Sequence, residues 1–177
     1  LNTTGASNVA VGCGALRANT TGGNNIAIGD SALFSNTTNT TNIAIGASAL
    51  RANNAAGDNM GIGQQAGAAN LSGFHLTAIG HYSLLANTSA QGNTAVGHSS
   101  MRANTTGAVN TAVGKNSLCK NTTGASNTAL GYEALCKNTT GGDNVAVGRN
   151  AMLGNLTGGS NLAAGTSAMQ CNTTGAS

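Results

Sequence analysis

The chain has 177 residues, only 6% of them charged, and seven Lys/Arg against four Asp/Glu leave a net charge of +3. The basic residues form no run, which excludes the clustered footprint of a nucleic-acid binder, and no apolar run nears the ~18 residues of a membrane-inserted helix. Glu133 and three Asp provide no carboxylate pair for hydrolysis. No Ser/His/Asp arrangement, metal-ligand spacing or cofactor motif is evident, so the expectation is a chain that is not an enzyme.

Proline is absent and there are only two Phe, yet 40% of residues are apolar. They recur on a schedule. Asn stands at 2, 19, 36, 53, 70, 87, 104, 121, 138, 155 and 172, every interval being 17 residues. Numbering columns 1 to 17 from each of these asparagines, columns 1 and 11 are invariably Asn and Gly in the ten complete units. Column 7 is Asn except at Leu76, column 9 is Ala except at Gly61, and column 10 is Val, Ile or Leu except at Ala164. Column 14 is Ala or Ser, and column 15 is Leu or Met except at Gly67. An unbroken period implies that each unit is one rung of a stack, because an inserted residue would break the stacking of identical columns. Seventeen residues are too few for a helix pair, which takes about 34. The fold class is therefore all-β, a parallel β-solenoid with one repeat per coil and about ten coils. Residues 1–177 read as one array, the chain starting and stopping inside a repeat like a window on a longer solenoid.

Within a unit, columns 1–6 ("NTTGAS") are dense in turn formers. Columns 7–11 ("NIAIG") read as a strand ended by a glycine turn at positive φ. Columns 13–17 ("SALFS", "NSLCK") read as a second strand. Column 16 admits Arg17, Arg51 and Arg102 and so faces water. Alternation turns column 15 inward, to pack against column 10 across the coil. Column 9 then points outward, as a smooth stripe that a second copy of the chain approaches closely. The alternative is that its alanines line a thin core. Coils spaced by ~4.8 Å stack the amides of columns 1 and 7 into ladders, each Asn bonded to the next.

The core N-x-A-[VI]-G-x-x-[AS]-[LM], seen in "NIAIGASAL" (residues 42–50) and "NTAVGHSSM" (93–101), resembles the repeats of trimeric-autotransporter head domains. With the intervening "NTTG" it resembles repeats of tail-fibre-like surface proteins. The resemblance implies a β-roll, side-by-side chains and an extracellular stalk, fibre or adhesive surface at the cell or virion exterior. It implies no catalytic residue.

Candidate modification sites are periodic too. N-x-[ST] sequons occur at Asn2, Asn19, Asn36, Asn39, Asn70, Asn87, Asn104, Asn121, Asn138, Asn155 and Asn172. They are N-glycosylation candidates if the turn exposes them, or else turn chemistry alone. Cys119 and Cys136 share column 16 in adjacent units, within reach of a disulfide or left as stacked free thiols. His81 and His98 share column 12 without a third ligand in sight. Columns 2 and 3 carry many Thr, but Leu71, Leu156 and Ala55 interrupt the flat array that an ice-binding surface would need. The expected function is a structural protein of an extracellular fibre, filament or stalk, with copies of itself as partner and covalent glycans as an added possibility. The alternative is a surface adhesin for glycan, host receptor or ice.

Overall fold

The computed structural model describes residues 2–175. Ten three-residue strands follow in order: β1 (Val9–Val11), β2 (Ile26–Ile28), β3 (Ile43–Ile45), β4 (Met60–Ile62), β5 (Thr77–Ile79), β6 (Thr94–Val96), β7 (Thr111–Val113), β8 (Thr128–Leu130), β9 (Val145–Val147) and β10 (Leu162–Ala164). They form one parallel sheet in sequence order. Each residue pairs with its equivalent one unit on, as Ala10 with Ala27 and Ala112 with Ala129. The chain is a β-solenoid that climbs one rung per repeat.

Only one strand forms per coil. Columns 13–17, expected to hold a second strand, lie in a continuous turn that runs over columns 12–17 in every unit. The cause lies in the backbone hand. Column 11 glycines have φ between +119° and +134°. Columns 13 and 15 are also left-handed: Ser31 and Leu33 at 55° and 49°, Asn116 and Leu118 at 57° and 50°. Alternating hand destroys the period-two rule, so columns 14 and 15 both point inward (Ala134 and Leu135 each 0% exposed). A left-handed Leu costs about 1–2 kcal/mol, and burying its side chain contributes about 1.5–3 kcal/mol, so packing holds the strained turn. The alternation also aims backbone groups along the axis. Ser31 N–H donates back to the Cys13 carbonyl (2.8 Å), and Leu33 N–H donates forward to that of Ala49 (3.1 Å). The turn wall is thus hydrogen-bonded from coil to coil as the sheet is.

The strand faces are the reverse of the first expectation. Column 9 is the interior: Ala27, Ala44, Ala78, Ala95, Ala112, Ala129 and Ala146 are fully buried. Column 10 points out, with Ile28, Ile45, Val113, Leu130 and Val147 all exposed. The interior is too narrow for two large columns. A Cβ at Gly61 would lie 2.9 Å from Leu50 Cγ and 3.0 Å from the Ala66 carbonyl oxygen. Leucine from column 15 fills the space opposite, and only Ala or Gly fits against it. The alternative reading, alanines in a thin core, is the one the structure adopts. The column 15 interior and the solvent-facing arginines of column 16 are as the sequence implied.

Candidate functional site

Two features emerge from this geometry, one facing in and one facing out. The inward feature is a pair of amide ladders. In column 1, Asn121 Nδ2 donates to Asn104 Oδ1 (2.7 Å) and to the Gly124 carbonyl of its own turn (2.8 Å). In column 7, Asn127 donates its backbone N–H and Nδ2 to Asn110 Oδ1 (2.9 and 3.1 Å), and Nδ2 also to the Gly141 carbonyl (2.9 Å). The column 4 carbonyl serves both ladders, since Gly141 O also accepts from Asn138 Nδ2 (2.9 Å). Glycine suits this column because the space is taken. A Cβ at Gly124 would lie 2.3 Å from the Gly141 carbonyl oxygen and 2.5 Å from Asn121 Oδ1.

This arrangement decides the sequons. Asn19, Asn36, Asn70, Asn87, Asn104, Asn121, Asn138 and Asn155 are at most 1% exposed. Asn2 and Asn172, in the outermost coils, still donate Nδ2 to the carbonyls of Gly5 and Gly175. Asn39, in column 4, has a buried Nδ2 with no partner. A glycan on the ladder nitrogens would need the space the next coil occupies, so the folded stack leaves those eight buried amides no room to carry one. In the buried turns the Asn-Thr-Thr pattern serves the stack: Asn supplies the ladder, and the column 2 Thr adds a bond to the next coil, as Thr122 Oγ1 donates to the Thr139 carbonyl (3.0 Å).

The outward feature is the sheet face itself. Columns 8 and 10 form two stripes of Val, Ile, Leu, Met and Thr, ending at Leu162 and Ala164, with no charged residue in either. At ~4.8 Å per coil and ~3.3 Å per residue, the face is about 48 Å long and about 7 Å across its two columns, roughly 300 Å² in plan. A patch of about 300 Å² matches the largest apolar patch of an ordinary monomer, which is often functional; what sets this one apart is its repetition at every coil. The signal for this face was the restriction of column 9 to Ala and Gly, which marks a crowded interior.

The remaining candidates lie on the turn wall. Cys119 and Cys136 are free thiols with sulfurs 2.6 Å apart. The hydrogen bond between the two thiols lowers the Cys136 pKa below the ordinary thiol range; that same bond, together with burial, raises that of Cys119. His81 and His98 flank Tyr82, their rings edge-on to it at 6.4 and 5.9 Å. Among the described residues no three His, Cys, Asp or Glu converge as a metal site. Half-buried Phe34 lies between the exposed Arg17 and Arg51, whose guanidinium carbons stand 5.3 and 5.5 Å from its ring centre, a cation–π stack across three coils. No helix among the described residues is long and apolar enough to cross a membrane.

Fold and surface together define a stacked-repeat protein of the parallel β-solenoid class. Comparison with protein-family models, curated proteins and solved structures finds no match to this chain.

Proposed function

We propose that the chain is a structural protein of an extracellular fibre, filament or stalk, in which copies associate through the outward sheet face. The observation that supports this reading is the uncharged stripe of columns 8 and 10, uninterrupted over ten strands. Its spacing is the rung spacing, so a second copy aligned with the first meets the same contact at every coil. A partner of different rise falls out of step within a few rungs. Lengthwise, the sheet ladder, the turn-wall bonds and the amide ladders all run along the axis, which suits a part that transmits tension. The reading also accords with the resemblance to surface-fibre repeats.

The test is assembly of the purified chain, followed by sedimentation velocity and electron microscopy. The wild type forms oligomers or filaments, and Val113→Lys with Val147→Lys abolishes lateral association. Circular dichroism and melting stay near wild type, because both side chains already face water. A wild type that stays monomeric at every concentration overturns the proposal, as does a double variant that assembles normally.

A further inference from the structure

We infer that Cys119 and Cys136 are a reactive dithiol that a small-molecule disulfide closes into a covalent staple between two successive coils. The two sulfurs stand 2.6 Å apart, and moving them about 0.5 Å closer reaches the 2.03–2.05 Å of a bond. Their backbones are already fixed at rung spacing. Leu118 N–H donates to the Ala134 carbonyl (2.9 Å) and Lys120 N–H to that of Cys136 (3.0 Å). Stacked neighbours at ~4.8 Å fall within the Cα separation that a disulfide accepts. Column 16 does not demand cysteine, since other units place Arg, Phe, Ala, Leu or Gln there. The pair is therefore not explained by packing.

Reagents have a way in. Cys119 is half-buried and forms part of the wall of a surface depression of about 500 Å³, with Leu85, Arg102, Ala103, Asn116 and Lys120 around it. Cys119, the cysteine that lines the depression, loses its proton to solvent, attacks one sulfur of the reagent RSSR and expels RS⁻. Cys136, buried beside it and held towards the thiolate by the hydrogen bond between the pair, loses its proton and attacks the mixed disulfide at the Cys119 sulfur, expelling the second RS⁻. Two protein thiols are oxidised, one RSSR is reduced to two thiols, and the new bond closes a 17-residue loop. The staple is independent of whether copies assemble.

The experiment uses the full chain carrying Cys13→Ser and Cys171→Ser, which removes the two exposed thiols. After incubation with oxidised glutathione, intact mass falls by about 2 Da, the two hydrogens lost on closure. Trypsin, cutting after Lys115, Lys120 and Lys137, releases residues 116–120 joined to residues 121–137, and dithiothreitol separates them. The melting temperature rises by roughly 5–10 °C on oxidation and returns on reduction. Adding Cys136→Ser removes both the link and the shift. A stable glutathione adduct on either cysteine without the crosslink, a chain-to-chain disulfide on a non-reducing gel, or two unmodified thiols in the folded chain each overturns the proposal.

Discussion

From Asn121 to Asn155 each column 1 amide reaches its predecessor at 2.7–2.9 Å. Between the coils of residues 36–52 and 53–69 that link is missing. Asn36 Oδ1 is buried without a partner, and Asn53 Nδ2 spends its hydrogen bond on the Ala56 carbonyl of its own turn. Column 4 supplies the reason. It is glycine throughout the first region but Asn39 and Ala56 here, and the position of a Cβ at that column collides with the ladder oxygen. Ala90 produces a milder version, stretching the Asn104–Asn87 bond to 3.3 Å. The apolar core also divides at this joint, one cluster ending at Leu50 and the other beginning at Ala66. Leu50 leans into the room that Gly61 and Gly67 leave vacant. The lesson is that a core one residue wide has no spare contacts: a coil that departs from the pattern is joined less well to its neighbour.

The largest test of that contrast is Leu135→Asp, which buries an unpaired carboxylate in the regular region and should cost more than about 4 kcal/mol, ending cooperative melting. The same change at Met169, which is 41% exposed, should move the melting temperature little. Next comes Gly114→Ala. Its Cβ would sit 2.5 Å from the Gly131 carbonyl oxygen, whereas nothing lies within 4 Å at Gly165. Both carry left-handed strain, so denaturant melts should show a loss of roughly 3 kcal/mol or more at Gly114 and about 1 kcal/mol at Gly165. Third, Asn121→Ala should cost about 2–3 kcal/mol by breaking three side-chain bonds. Asn36→Ala, with two bonds and an already stranded oxygen, should cost about 1 kcal/mol less. Equal losses would show that the joint is as tight as the rest.

The smallest effect has the opposite sign. Asn39→Gly removes a buried amide with no partner, a relief of about 1–3 kcal/mol, against about 0.5–1 kcal/mol of added backbone freedom in the unfolded chain. A net gain of roughly 1 kcal/mol is expected, together with slower amide hydrogen exchange at residues 53–57. Exchange there should be faster in the wild type than at the equivalent residues 121–125.

Much of this was legible in the sequence because a repeat compares itself with itself. The 17-residue frame, the glycine turn at column 11, the interior leucines of column 15 and the amide ladders all follow from what each column tolerates. The strand faces did not follow. A rule that the larger apolar side chain goes inside puts Ile28 in the core and Ala27 on the surface. The rule fails where the interior is only as wide as one leucine and one alanine. Nor does composition disclose that Leu33 and Leu118 adopt left-handed backbone, since leucine is a poor choice for it on local grounds and is held there by the wall bonds and by burial. The sequons misled for a related reason. Asn-Thr-Thr signals a turn, and turns are usually wet, but this turn folds its asparagine inward.

Because the Cα partner of every strand residue is its own counterpart seventeen positions away, the units are interchangeable parts. Excising or duplicating one whole unit rejoins like to like and alters reach without redesigning a single interface. Losing sixteen or eighteen residues instead would set alanine against isoleucine where the two parts rejoin. A gene encoding such a protein can therefore vary its length by unequal recombination, and the seventeen-residue quantum is the only step that the architecture forgives.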